Sequence, residues 1–261
     1  MIAAPILNPS GESLDFRFES ASGHPPHNGW IAILAHGVTG NLERPVIADT
    51  AAALNAAGFN TLRFSFAGNG ASDGDFRAAT ITKEIGDLGA VIDAVAESHA
   101  RIAIVGHSMG AAVAVLRAAG DPRISALVSL AGMVETRRFA RNEFGDVTPG
   151  DGLMWDEPDC PLSQSFMDDL CETVVSVAPQ AEKVRVPWLL VHGTADDVVR
   201  PSDTRAIVSL FGKQATSHFI DGADHSFNEP AHKNEMTRAV AEWLTSIASS
   251  GRDAPPGRPV A

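Results

Sequence analysis

Apolar residues along the chain fall into short continuous runs, separated by stretches in which they recur every three or four positions. The runs read as strands and the spaced stretches as helices. Residues 2–7 form a first run, and residues 13–20 alternate Leu14, Phe16 and Phe18 with polar neighbours, as a half-buried strand does. Further runs lie at 30–35, 60–66, 102–105, 124–131, 186–191 and 217–220, with the SGHPPHNG segment (22–29) as a turn before the first of these. Helical spacing is clearest over 80–98, where Ile81, Ile85, Leu88, Ile92 and Val95 share one face, and over 231–247, where Met236, Val240, Trp243, Leu244 and Ile247 do. Shorter helices are predicted at 45–57, opened by Pro45 and closed by Gly58, and at 111–119, 163–174 and 202–211.

Strands that alternate with helices imply parallel βαβ units with right-handed crossovers, whose ligand sites lie at the carboxyl ends of the strands. One stretch breaks the rhythm. Residues 132–161 are rich in Arg, Asp, Glu, Gly and Pro, yet hold Met133, Phe139, Phe144, Met154 and Trp155. A long irregular segment inside a compact domain is usually functional, and the bulky apolar residues favour a lid. Phe139, Phe144, Met154 and Trp155 are therefore the candidate substrate-binding residues. The polar, proline-rich tail at 251–261 is expected to be disordered.

Composition narrows the picture. With 261 residues and 44% hydrophobic content, the chain suits one α/β domain over 1–250. A formal charge of -12 and a pI near 5.1, with no basic patch, argue against a nucleic-acid partner. Neither a signal peptide nor a membrane span is visible at the amino end, so no membrane partner and a cytoplasmic location are expected. Cys160 and Cys171 are too few for a disulfide framework, and their pairing stays open.

The candidate chemistry centres on Gly106-His107-Ser108-Met109-Gly110, a G-x-S-x-G pattern between a strand run and a small-residue helix. There the glycines let strand and helix crowd at a strained turn that pushes a serine hydroxyl outward. Other residues fall at the ends of other predicted strands: His36-Gly37 after 30–35, Asp196 and Asp197 after 186–191, Asp224 and His225 after 217–220. A serine hydroxyl is a poor nucleophile until an imidazole takes its proton and a carboxylate holds that imidazole. His107 is adjacent to the serine and on a sharp turn would point away, which suits packing or hydrogen bonding. His36 and His192 each precede a glycine but have no third ligand at zinc spacing. The glycines of AGNGASDG (67–74) miss the dinucleotide spacing, and Asp73 and Asp75 would repel phosphate. No cofactor and no metal are expected. Arg137, Arg138 and Arg141 read as a solvated helical face, with a substrate carboxylate as the alternative.

With HGVTGN, RFSFAGNGASDG, GHSMG, HGTADD and GADHSF in place, the chain resembles the α/β-hydrolase superfamily over nearly its whole length, and within it small bacterial esterases similar to cinnamoyl or feruloyl esterases. That resemblance implies an α/β-hydrolase fold: a mostly parallel eight-stranded sheet flanked by helices, with a short lid inserted after the sixth strand. It also implies Ser108 as nucleophile, Asp196 as orienting acid, His225 as general base, and the backbone N–H groups of Val38 and Met109 as oxyanion hole. Serine at the nucleophile position separates the chain from resembling dehalogenases, epoxide hydrolases and dienelactone hydrolases. The expected activity is hydrolysis of a small-molecule carboxylic ester, with a small or aromatic acyl group, through an acyl-serine intermediate. Amidase, peptidase or thioesterase activity is the alternative within enzymes, and a non-catalytic ligand-binding protein the alternative outside them. The oligomeric state is not legible.

Overall fold

The computed structural model describes residues 5–22, 27, 29–212 and 215–250. The start of the first predicted strand, part of the turn at 22–29 and the tail at 251–261 lie outside the described residues. The chain begins with a two-stranded antiparallel ribbon, β1 (Ile6–Leu7) against β2 (Ser13–Leu14). The main sheet takes β3 (Phe16–Glu19), β4 (Trp30–Ala35), β5 (Asn60–Phe64), β6 (Arg101–His107), β7 (Ile124–Leu130), β8 (Trp188–Gly193) and β9 (Ala215–Ile220). Its order is β3-β5-β4-β6-β7-β8-β9, and only β3 runs antiparallel to its neighbour.

Among the described residues the sheet therefore has seven strands, not the eight expected, because Ile6–Leu7 pairs with Ser13–Leu14 outside it. The single strand predicted over 13–20 breaks at Asp15 for a related reason. Its N–H donates to Ser72 Oγ at 2.8 Å and its carbonyl accepts from Ser65 N–H at 2.9 Å, so the loop after β5 takes the hydrogen bonds a continuous ladder would use.

Two hydrophobic cores follow from the period-two alternation of the central strands. Ile31, Ile33, Ile102 and Ile104 face one way, onto α2 (Ile81–Ala96) and α3 (Met109–Ala118). Trp30, Ala32, Leu34, Ala103 and Val105 face the other, onto α1 (Pro45–Ala56) and the last helix, Pro230–Ser249. Both faces of the parallel strands are covered, which is why they read as unbroken apolar runs. The helix α2 starts where Thr80 Oγ1 accepts from Lys83 N–H at 3.1 Å, an N-cap worth about 1 kcal/mol.

Between β7 and β8 the chain forms α4 (Thr136–Phe144), a 3₁₀ turn (Met154–Asp156), α5 (Gln164–Asp168), a π turn (Asp169–Val174) and α6 (Ala178–Ala181). The helix α4 lies in the stretch expected to be irregular, where only the Arg137, Arg138 and Arg141 group reads as a helical face. It buries Thr136, Phe139, Ala140 and Phe144 on one stripe, hidden in the sequence by the polar residues of its other face. The helices α7 (Pro201–Phe211) and α8 (Pro230–Ser249) complete the element order.

Candidate active site

Ser108 sits between β6 and α3 with φ 52° and ψ -118°, a conformation that costs a non-glycine residue about 1–3 kcal/mol. The surroundings hold it there: its N–H donates to Leu130 O at 3.0 Å, and its carbonyl accepts from Ala111 N–H at 3.1 Å and Met133 N–H at 3.2 Å. The flanking glycines are required by space. A Cβ on Gly106 would lie 2.4 Å from Gly110 O, and one on Gly110 would lie 2.3 Å from His36 O. Strand, turn and helix can close around the serine only without those atoms.

The loops after β8 and β9 are stitched together, Thr194 N–H to Ile220 O at 2.9 Å and Ala195 N–H to Ala223 O at 3.0 Å. This brings Asp196 to His225, whose Nδ1 lies 2.9 Å from Asp196 Oδ2. The Asp196 side chain is fully buried. Its Oδ1 accepts from the N–H groups of Val198 at 3.0 Å and Val199 at 2.9 Å. Burial alone would raise the pKa of this carboxyl, but the hydrogen bonds from His192, His225 and the Val199 amide outweigh it and hold the group ionised, well below the usual carboxylate range. Of the rival acids, Asp197 is exposed, and Asp224 accepts from the backbone and side chain of Asn228 at 2.9 and 2.8 Å.

His192 is the residue that the sequence did not reveal in this role. It is fully buried, and its Nε2 faces two acceptors, Asp196 Oδ2 at 3.1 Å and Val199 O at 2.9 Å. The proton must therefore sit on Nε2, leaving Nδ1 to accept from the Thr204 hydroxyl at 2.8 Å. The one signal of it in the sequence is its position four residues before Asp196. His36 is also engaged: its Nε2 accepts from Phe66 N–H at 3.0 Å and its Nδ1 donates to Gly37 O at 2.8 Å. Burial pulls His36 down to about 4. Among the described residues no group of three or more His, Cys, Asp or Glu is disposed to hold a metal.

His107 lines the cleft beside Ser108 and is tied to the His225 loop. Its Nε2–H donates to the backbone carbonyl of His225 at 3.1 Å, and the two rings lie 4.9 Å apart. Burial pulls His107 down to about 3, so it is a neutral donor. Val38 follows β4 in a turn closed by Gly40 N–H to Gly37 O at 3.1 Å, and Met109 is the first residue of α3. Among the described residues neither the Val38 N–H nor the Met109 N–H has a backbone acceptor.

Ser108 and His225 open into one cleft of about 360 Å³, whose walls include Val38, Arg44, Trp155 and Glu157. Of the four aromatic and methionine residues expected to touch substrate, Trp155 is in this wall, 42% exposed. Phe139 and Phe144 are instead buried, because the apolar stripe of α4 turns inward, and Met154 is buried at the start of the 3₁₀ turn. Phe144 lies 4.9 Å from the Trp155 ring and 5.9 Å from Phe166. The Trp155 indole N–H donates to Glu143 at 3.0 Å, which fixes the ring's outer edge. Across the cleft, the Arg44 guanidinium donates to Thr39 O at 2.9 Å and pairs with Glu157 at 3.4 Å, joining the Val38 loop to the β7–β8 segment. Neither Arg44 nor Glu157 carries a motif that marks it in the sequence. Two of the three arginines on α4 meet protein groups, Arg137 at Cys171 O and Arg138 at Asp203. Cys160 and Cys171 are free thiols.

The fold and the elbow define an α/β hydrolase, and comparison with known proteins assigns the family. The model of the Hydrolase_4 family, described as serine aminopeptidase, S33, matches residues 26–147 and 159–231, so the chain belongs to that family. The structure is similar to Est1E from Butyrivibrio proteoclasticus with ferulic acid bound, at TM-score 0.80 and 26% identity over 92% of this chain and 97% of that one. It also resembles the monoacylglycerol lipase from Paleococcus ferrophilus, at TM-score 0.72 and 23% identity over 90% and 99% of the two chains, a likeness of fold. An uncharacterized protein of Rickettsia prowazekii (strain Madrid E) is 24% identical over 85% of this chain and 82% of its own. No helix among the described residues is long and apolar enough to cross a membrane.

Proposed function

We propose that this hydrolase cleaves carboxylic esters of small or aromatic acyl groups through an acyl-serine intermediate. The observation that carries the reading is the Asp196–His225 pair at 2.9 Å, opening into the same cleft as a serine on a strained elbow. In this reading His225, fixed through Nδ1 by Asp196, takes the Ser108 proton on Nε2 as the hydroxyl attacks the ester carbonyl. The Val38 and Met109 N–H groups receive the oxyanion, each donor worth about 3–4 kcal/mol in the transition state. His225 then returns the proton to the leaving alcohol, and a water activated by the same imidazole releases the acid. Residues 132–161 act as a lid, with Trp155 as the part of it that meets substrate.

The ester preference is supported by the likeness to Est1E at 26% identity. The description of the family as a serine aminopeptidase motivates a second reading, cleavage of an amide on the same residues. Purified protein assayed against matched p-nitrophenyl acetate, butyrate and cinnamate esters and an amino-acid p-nitroanilide separates the two. Ester turnover lost in Ser108→Ala, with the anilide inert, is the expected result. Ester turnover unchanged in Ser108→Ala would sink the proposal.

A further inference from the structure

Beside the loop that carries Val38 lies a second, small slot, walled by Val38, Met109, Phe76, Phe166, Asn69 and Glu84. Residues 37–39 line both it and the main cleft. Most of its wall is apolar, and it has room for about one water-sized group. Glu84 is the anomaly in it. This residue lies in the first turn of α2, is 1% exposed, and has a carboxyl oxygen, Oε2, with no hydrogen-bond partner.

The neighbouring charges are engaged elsewhere. Lys83 Nζ lies 2.8 Å from Glu12. Asp87 accepts from Asn8 at 2.7 Å and from Ala67 N–H at 2.9 Å, and Asp169 accepts from the Thr82 N–H at 3.2 Å and from its hydroxyl. Burial, reinforced by the Asp87 and Asp169 carboxylates, pushes Glu84 well above the usual carboxylate range and favours the neutral acid. A neutral carboxyl offers one O–H donor together with acceptor oxygens, and leaving such a group buried and unmatched is unfavourable.

We propose that this slot is the far end of the acyl-binding site, and that Glu84 receives a hydroxyl carried by a short acyl group of the substrate. The inference rests on the ester-hydrolase reading of Ser108. Met109 follows the nucleophile directly and Val38 faces both spaces, so an acyl carbonyl held at their N–H groups has the slot beside it. Apolar walls disfavour an ionised end group, and the small volume disfavours a ring. A hydroxyl matches both the size and the unused hydrogen-bonding capacity of Glu84.

The test compares p-nitrophenyl 3-hydroxybutyrate with p-nitrophenyl butyrate, which differ by the one hydroxyl. The wild type is expected to favour the hydroxy ester by about tenfold in kcat/KM, the size of one net hydrogen bond. Glu84→Gln, which keeps a neutral donor and acceptor, retains most of that ratio, and Glu84→Leu brings it close to one. Because Glu84→Leu can disturb folding, inhibition of the wild type by free 3-hydroxybutyrate and butyrate gives an independent measure, with the hydroxy acid expected to bind more tightly. Butyrate turnover with no preference for the hydroxyl, in rate and in inhibition, overturns this inference alone and leaves the slot to a water molecule. Turnover of neither ester, with Ser108 unlabelled by a fluorophosphonate, overturns the ester-hydrolase reading and this one with it.

Discussion

His192 and His225 meet the same oxygen of Asp196, His192 through Nε2 at 3.1 Å and His225 through Nδ1 at 2.9 Å. The carboxylate is thus held on its inner side by a buried imidazole that never reaches the cleft, and what remains of Oδ2 is aimed at the imidazole that does.

Replacing His192 should therefore disturb position more than charge. In His192→Phe, Asp196 keeps its bonds from His225 and from the Val198 and Val199 amides, so it stays ionised at neutral pH. Ester kcat is expected to fall about tenfold or more, as small misplacements of reacting groups do, with the acid limb of the pH–rate profile unmoved. Thr204 and the Val199 carbonyl lose their partner, which costs about 1–3 kcal/mol of stability by urea unfolding. A variant with the wild-type kcat would show that His192 is a packing residue only.

The elbow predicts a trade between activity and stability at Ser108. Its φ of 52° is a conformation glycine adopts without strain. Ser108→Gly should abolish ester hydrolysis, a loss on the order of 10⁵–10⁶ in kcat for a nucleophile. The same change should hold or raise Tm, with about 1 kcal/mol of relieved strain offset in part by the greater freedom of unfolded glycine. Ser108→Ala should lose activity to the same extent without the gain. Equal melting temperatures of the glycine and alanine variants would argue against strain at this turn.

Much of this site was legible before the fold was. Strands β4, β6, β7 and β8 are buried along nearly their whole length, so their composition alone marked them, and the loops that follow them had to meet at one edge. Two kinds of residue escaped for physical reasons. Residues such as His192 act through a partner four positions away across a loop, and no periodicity records that. Polar residues buried by distant segments also escaped: Glu84 and Asp87 lie off the apolar stripe of α2, yet the amino-terminal ribbon and the β7–β8 segment cover them. The helix α4 was hidden because its stripe spans only nine residues among many charges. The run at residues 2–7 was read as part of the main sheet, because pairing choice depends on where its neighbours' hydrogen bonds go.

Two buried histidines make the fold sensitive to acid. His107 and His36 have an ordinary value of 6.5 and are held near 3 and 4 by burial. Their folded values lie below their unfolded ones, so the unfolded chain takes up protons first as pH falls. The stability they contribute is present above about pH 6.5 and is lost between that point and about pH 4 for His36 and about pH 3 for His107, by up to about 1.4 kcal/mol per pH unit for each histidine. Urea midpoints measured at pH 7, 6, 5 and 4.5 should fall steadily in the wild type. His107→Gln should fall less steeply over the same window, because one of the two sites is gone. Parallel slopes for the two proteins would remove His107 from the account.

Trp155 and Phe144 lie 4.9 Å apart with their rings tilted at 57°, but they face different surroundings, and their variants should fail in different ways. Phe144 is 1% exposed and packs against Phe139 and Phe166, so Phe144→Ala leaves a cavity under the cleft and should cost about 3–5 kcal/mol in unfolding. Trp155 is 42% exposed in the cleft wall, so Trp155→Ala removes less buried area and should cost clearly less stability. Its effect should appear in KM for an aromatic acyl ester such as p-nitrophenyl cinnamate, with kcat changing less, because the ring offers substrate a face in both the ground and transition states. The pair is measured together, stability by urea and KM by initial rates. If Phe144→Ala shifts KM at unchanged stability while Trp155→Ala unfolds the protein, the assignment of wall and support is reversed.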